Sequence, residues 1–122
     1  MKVFKTLCLF SILLLNATLA FGHHSASGID PTGSVTVKGI VKEFRWSNPH
    51  CWIELEVVNA KGVTEIWNFE MNPPLFLVRA GFTRYSIKPG DEVEVTARPF
   101  IDARPGGIYV SVKLGNGETL SR

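Results

Sequence analysis

The chain has 122 residues, which is enough for one domain. Its 13 basic and 11 acidic residues give a formal net charge of +2, and they do not cluster into the basic stripe of a nucleic-acid-binding protein. The composition therefore predicts no nucleic-acid partner.

The N-terminus has the anatomy of a secretion signal. Two lysines precede an apolar run over residues 7–15, which is shorter than the roughly 20 residues that cross a membrane. A retained membrane anchor is the alternative interpretation. Cleavage after Gly22 is preferred over cleavage after Ala20, because it leaves small residues at both recognition positions. We therefore expect residues 1–22 to be a signal peptide and the mature protein to be periplasmic or secreted, with no membrane span.

Removal of the signal changes the charge and the cysteine content. Without Lys2 and Lys5 the basic residues fall to 11, which equals the 11 acidic residues, so the mature domain is neutral. Only Cys51 remains, which excludes an internal disulfide. Residues 23–33 are expected to form an extended arm, because residues 28–33 have turn chemistry.

Five segments with strand-like alternation follow the arm, at residues 35–46, 50–58, 64–71, 92–98 and 107–114. In the first segment the apolar phase changes near Gly39, which predicts a bulge or a bend there. The side chains predicted to fill the core include Ile53, Leu55, Trp67, Phe69, Val93, Val95, Ile108, Val110, Val112 and Leu114.

A short helix is predicted between the third and fourth strands. Asn72 is expected to cap its N-terminus, with a proline in the first turn, and Gly81 is expected to end it. The apolar side chains expected to face the core are Leu75, Leu77 and Val78.

The order of elements predicts the fold class. Three strands, a helix and two strands, with a long and irregular first strand, indicate an OB-fold-like Greek-key barrel over residues 34–122. The prediction is thus an all-β domain with small helical content. A meander sheet with one helix is the alternative.

Barrels of this type bind ligands on the outer face of strands 2 and 3, between the loop after strand 1 and the loop between strands 4 and 5. The side chains expected at this place are Asn48, Trp52, Glu54, Glu56, Asn68, Glu70 and Arg104. Such an acidic face disfavours a phosphate backbone and suits a cation, a basic peptide or another protein. A solvated strand face with ordinary alternation is the alternative.

Three histidines suggest a metal site, with copper as the one candidate cofactor. After cleavage at Gly22, His23 would offer its α-amine and a ring nitrogen beside His24, and His50 would approach if the arm folded back. After cleavage at Ala20, residues 21–23 would offer a square-planar nitrogen set. Both sets suit Cu(II). The alternative is a solvated arm and a His50 that satisfies backbone groups of its turn.

The sequence contains few features of an enzyme. The sequence has no Gly-x-Ser-x-Gly elbow, Gly-rich phosphate loop, His-Glu-x-x-His motif or paired-cysteine zinc spacing. Glu54 and Glu56 share one strand face, but an open face lacks the contrasting environments that paired carboxylates need. Cys51 falls on the inward phase and is predicted to be a core residue. A small-ligand or metal-binding module is favoured, with a protein-interaction or structural module as the main alternative and a metal-dependent hydrolase behind both.

Several short motifs occur in a fixed order along the mature chain: His23-His24-Ser25, Gly39-Ile40-Val41, Asn48-Pro49-His50, Arg79-Ala80-Gly81-Phe82 and Lys88-Pro89-Gly90-Asp91. In this order they resemble a family of short bacterial secreted proteins of unknown function. The family pattern has a Trp where this chain has Phe82, which looks like an exchange within the core. The resemblance implies export and a small barrel, and it carries no activity.

Overall fold

The computed structural model describes residues 28–122. The predicted signal peptide, both cleavage sites and residues 23–27 of the predicted arm lie outside these residues. Within the described part of the chain, no helix is long and apolar enough to cross a membrane.

Six strands and one short helix make up the fold of residues 28–122. In chain order they are β1 (Val35–Arg45), β2 (Trp52–Val58), β3 (Thr64–Glu70), α1 (Pro74–Arg79), β4 (Glu92–Pro99), β5 (Gly106–Lys113) and β6 (Thr119–Ser121). The five predicted strands and the helix between the third and fourth are confirmed, with ends that differ by one or two residues. The three-residue β6 was not predicted.

The strands close into a five-stranded barrel, as predicted. The first half of β1 pairs with β4 and its second half pairs with β2, both antiparallel. Antiparallel pairing also joins β2 to β3 and β4 to β5, and a short parallel pairing of β3 with β5 closes the ring. This order is that of the OB-fold barrel. The added β6 pairs with the far end of β5.

Gly39 allows two strands to approach closely, and it is not the site of the bulge. A Cβ at this position would lie 2.6 Å from the carbonyl oxygen of Glu56 on β2. The register irregularity in β1 lies between Val41 and Glu43. The predicted position of the bulge was therefore wrong. The inward-facing side chains are odd-numbered as far as Val41 and even-numbered from Phe44 onward.

Gly106 and Gly107 allow the barrel to close. A Cβ on Gly106 would overlap the carbonyl oxygen of Asn68 on β3, and a Cβ on Gly107 would overlap that of Arg98 on β4. Gly106 also has a φ of +132°, which side chains disfavour. Both glycines are required because β5 enters the barrel between two neighbouring strands at this point.

The core follows the predicted phase in β2 and β4, and it departs from that phase in β5. Ile53, Leu55, Val93, Val95 and Val112 are all buried, as predicted.

In β5, Tyr109 is fully buried and Val110 is only partly buried. The cause is a bulge: Thr96 faces Ser111 and Ala97 faces Tyr109, so Val110 is the extra residue. The predictions that Val110 and Ile108 point into the core were wrong for this reason.

The helix begins without the predicted side-chain cap. Its N-cap residue is Pro73, and no side chain bonds the first turn. Asn72 lies one residue too early, and its carbonyl oxygen instead accepts a hydrogen bond from the backbone of Cys51. At the other end Gly81 has a φ of +91°, as expected of the residue that ends a helix.

Only one side chain of α1 is buried in the core. Leu77 is fully buried, whereas Leu75 and Val78 are 60% and 56% exposed. The prediction that all three face the core was wrong. A six-residue helix has room for little more than one turn against the barrel, and the chain after it supplies Phe82 and Ile87 as the next buried residues.

Candidate functional site

An open groove of about 470 Å³ lies where the β1–β2 loop, the end of β3 and the β4–β5 loop meet. We call it the inter-loop groove. Its lining residues are Gly28, Ile29, His50, Glu70, Met71, Asn72, Phe100, Arg104, Ile108 and Arg122. It occupies the place where barrels of this type bind their ligands.

A histidine and a carboxylate lie in close contact in this groove. Nδ1 of His50 lies 2.5 Å from Oε1 of Glu70, and the two side chains are 41% and 28% exposed. In the neutral imidazole, a proton on Nδ1 beside this carboxylate leaves the lone pair on Nε2. A carboxylate that orients an imidazole in this way is typical of histidines that bind metals.

The backbone beyond the strand ends sets this pair side by side. Met71 donates its N–H to the carbonyl of Cys51, at 2.8 Å, and Cys51 donates to Asn72, at 3.3 Å. These bonds extend the β2–β3 ladder past Trp52 and Glu70, which face each other in register. Residue 50 therefore lies beside the end of β3.

The β1–β2 loop is closed by short contacts of its own. Ser47 donates its hydroxyl to the carbonyl of His50 at 3.4 Å, and the thiol of Cys51 contacts the carbonyl of Ser47 at 3.8 Å. The Asn48–Pro49 peptide bond is cis. The imidazole of His50 contacts a carboxylate across the groove, and it forms no hydrogen bond with its own turn. Asn48 is exposed and does not line the groove.

Arg104 contributes a positive charge to the groove from the β4–β5 loop. Its guanidinium carbon lies 3.9 Å from the centroid of the Phe100 ring, a favourable cation–π distance. Its Nε lies 3.7 Å from Asp102. The side chain is nevertheless 62% exposed, so its charge is accessible to a ligand.

The end of the N-terminal arm is fixed against the same loop. Ile29 forms an isolated antiparallel bridge with Phe100. Asp30 donates to the carbonyl of Pro99, and Ile101 donates to that of Gly28, each at 2.9 Å. Gly28 and Ile29 therefore form part of the wall of the groove. His23 and His24 lie outside the described residues.

The remaining predicted site residues lie along the β2–β3 face. Trp52 faces Glu70 across the ladder, and Glu54 and Glu56 follow along β2 opposite Asn68 and Ile66. None of these except Glu70 lines the groove.

This face is less acidic than the sequence suggested. Lys42, on the neighbouring strand, places its Nζ 2.7 Å from Glu54. Hydrogen bonding to Glu54 raises the pKa of the Lys42 ammonium, and the nearby charge of the same carboxylate adds to this. Sequence reasoning missed Lys42, because the bulge in β1 decides which side of the sheet its side chain takes.

Sequence reasoning also missed the apolar lining of the groove. Phe100 and Ile108 flank the predicted β4–β5 loop, so the fold prediction alone pointed to their neighbourhood. Ile29 was not predictable from local pattern, because its position depends on pairing with a loop about 70 residues later in the chain.

Within residues 28–122 no three His, Cys, Asp or Glu side chains converge on a position for a metal ion. His50 and Glu70 supply two groups. Cys51 is fully buried, as predicted, and burial raises the pKa of its thiol. It therefore offers no accessible thiolate.

A family model described as a family of unknown function (DUF6152) matches residues 12–109. This match covers most of the chain, and the protein belongs to this family. It agrees with the resemblance seen in the sequence motifs, and it indicates no enzyme class. A search of curated proteins gives no match.

Proposed function

We propose that this member of the family is an extracytoplasmic small-ligand-binding module. In this proposal the ligand is a Cu(II) ion held at the inter-loop groove by His50 together with His23 and His24. The observation that carries the proposal is the close contact of His50 with Glu70, because a carboxylate beside Nδ1 favours a proton there and leaves Nε2 to receive a ligand.

The position of Gly28, in the described end of the arm, supports the participation of His23 and His24. Gly28 lines the groove and follows His24 by four residues. Four residues span at most about 14 Å, so a processed N-terminus has the reach to meet His50. Imidazole and amine nitrogens then complete a set that suits copper.

The predicted signal peptide supports export. Its predicted cleavage site also lies next to the histidines. Export also matters chemically, because only processing frees the amine of His23. The proposal therefore distinguishes the mature protein from the precursor, in which the same histidines lie inside the chain.

The test uses protein exported and processed by a bacterial host, with its mass measured intact. We expect one Cu(II) per chain, a Kd below about 1 μM and an EPR spectrum with nitrogen ligands. Glu70→Gln should weaken binding about 10- to 100-fold, the range for losing a carboxylate that orients a ligand. His50→Ala should weaken it at least as much.

Matched controls separate this site from general copper affinity. Glu56→Gln removes a carboxylate from the same sheet face outside the groove, and it should leave binding unchanged. One extra glycine before His23 should weaken binding if cleavage follows Gly22. Equal affinity of all variants, or no binding near 1 μM, would overturn the proposal.

A protein-interaction module is the second candidate, and one observation favours it. On the outer face of the β1–β2–β3 sheet, Ile40 and Ile66 flank Glu56 in register and are 41% and 38% exposed. A partner on this face should be lost with Ile66→Asp and retained with Glu70→Gln in a pull-down from periplasmic extract. The reverse pattern would contradict this candidate.

A further inference from the structure

The segment at residues 72–90, which contains α1 and the turns after it, has an unusual charge. It carries three basic residues, Arg79, Arg84 and Lys88, and no acidic residue. The other residues of the described part, 28–71 and 91–122, hold eight basic and eleven acidic residues. A domain that is neutral in total is therefore divided into a segment of charge +3 and a remainder of charge −3.

The same segment exposes large apolar side chains. Leu75, Phe76 and Val78 on α1 are more than half exposed, and Tyr85 in the following turn is 81% exposed. These four exposed apolar residues lie within eleven positions of the chain. Such a concentration of exposed apolar side chains indicates an interaction site.

The segment is held firmly in place, so the exposure does not reflect a frayed end. Leu77, Phe82 and Ile87 are buried at five-residue intervals and anchor it to the core. Phe82 donates its N–H to the carbonyl of Leu77 at 2.9 Å. The N–H of Thr83 donates to the hydroxyl of Ser86 at 2.8 Å, which fixes the turn that carries Tyr85.

At least one of the basic side chains lies beside an exposed apolar one. The guanidinium carbon of Arg79 lies 5.8 Å from the centroid of the Phe76 ring. Of the three basic residues, only Lys88 has a carboxylate within ion-pair distance in the described part of the chain, that of Asp91 at 3.3 Å. Arg79 and Arg84 therefore carry charges that no neighbouring carboxylate there neutralises.

We propose that the 72–90 segment docks the protein on an anionic phospholipid surface. Aliphatic and aromatic tips that enter the headgroup boundary, together with nearby arginines and a tyrosine, are the chemistry of peripheral membrane attachment. Each basic residue near an anionic membrane surface contributes about 1 kcal/mol, which adds to the contribution of the inserted apolar side chains.

This docking is independent of the inter-loop groove. None of the exposed apolar or basic side chains of the 72–90 segment lines the groove. A variant that abolishes one activity should therefore leave the other unchanged.

The test is co-sedimentation of the full processed chain with vesicles. We expect binding to vesicles of phosphatidylcholine mixed with phosphatidylglycerol, and little binding to phosphatidylcholine alone. Added salt should weaken the binding. Arg79→Gln and Arg84→Gln should each weaken it about fivefold, which corresponds to about 1 kcal/mol for each basic residue near a membrane surface.

The apolar contribution has its own variant and control. Phe76→Ser should weaken binding to the anionic vesicles at least tenfold. Val63→Ser and Lys61→Gln change the exposed β2–β3 hairpin in the same chemical ways, and they should have no effect. Thermal unfolding of each variant checks that the fold is intact.

Three outcomes would overturn the proposal. They are absence of binding to anionic vesicles, equal binding to neutral vesicles, and equal losses in the segment variants and the hairpin controls. Absence of vesicle binding together with saturable binding of an acidic protein, lost in Arg79→Gln, would assign the surface to a protein partner instead.

Discussion

The ring of Phe82 meets the ring of Tyr109 edge-on inside the barrel, with centroids 6.0 Å apart and an interplanar angle of 84°. This contact joins the segment after α1 to β5. It also seals the phenol of Tyr109 in the core, where its hydroxyl has no hydrogen-bond partner.

Burial of Tyr109 should make the protein sensitive to alkaline pH. Burial raises the pKa of its phenol to about 12. The unfolded chain releases this proton near pH 10, so the folded state holds more protons between the two values. The free energy of unfolding is thus unaffected by this group below about pH 10, and it falls by about 2 to 3 kcal/mol as the pH rises to about 12. Urea unfolding at several alkaline pH values measures this loss.

Tyr109→Phe should remove that alkaline loss. At neutral pH it should leave the free energy of unfolding unchanged or raise it by up to about 1 kcal/mol, because it deletes an unpaired buried hydroxyl. A loss of several kcal/mol at neutral pH would contradict the assignment of an unsatisfied hydroxyl.

The bulge in β5 should be visible in stability measurements. Val112→Ala removes two methyl groups from a fully buried site and should cost about 1 to 3 kcal/mol. Val110→Ala should cost less than about 1 kcal/mol, because the bulge places Val110 only partly in the core. Chemical denaturation compares the two, and equal costs would show that β5 alternates without a bulge.

Gly106→Ala should strongly destabilise the barrel. The new Cβ meets the carbonyl of Asn68 at a positive φ, so we expect a cost of about 3 kcal/mol or more from overlap and strain together. Gly117→Ala is the matched control, since Gly117 also has a positive φ but has open space around it. Its cost should be about 1 kcal/mol. Thermal or urea unfolding of the two variants gives the comparison.

The thiol of Cys51 should be inert in the native state. It is fully buried, and burial raises its pKa, so both access and thiolate formation are reduced. Iodoacetamide should label the native protein slowly at pH 8 and label the unfolded protein fully within the same time. Mass spectrometry measures the extent of labelling. Rapid labelling of the native state would place Cys51 at the surface.

The fold was predictable where one strand face is buried and the other is solvated. The alternation of Ile53 with Glu54 and of Val93 with Glu94 identifies β2 and β4 without knowledge of their partners. The bulge at Val110 was not predictable, because an extra residue in one strand is defined only by the register of the strand opposite.

The candidate site was predictable in its parts and not in its contacts. The order of elements pointed to Glu70 on a strand face, and a turn motif pointed to His50. Their contact depends on the backbone bonds of Met71 with Cys51, which set the pairing of the two segments and cannot be read from either segment alone. The exposure of Leu75 and Val78 was missed because an apolar pattern does not reveal how much barrel is available to cover a helix.

The parallel contact of β3 with β5 has a kinetic consequence. It joins residues 68–70 to residues 106–108, and such distant pairings carry the loop-closure cost that slows the folding of β-barrels. Glu70 and Ile108 are partners in this pairing and also line the inter-loop groove. The groove therefore forms only when the ring closes. A ligand that binds there stabilises the closed ring relative to opened forms, and this stabilisation increases with ligand concentration.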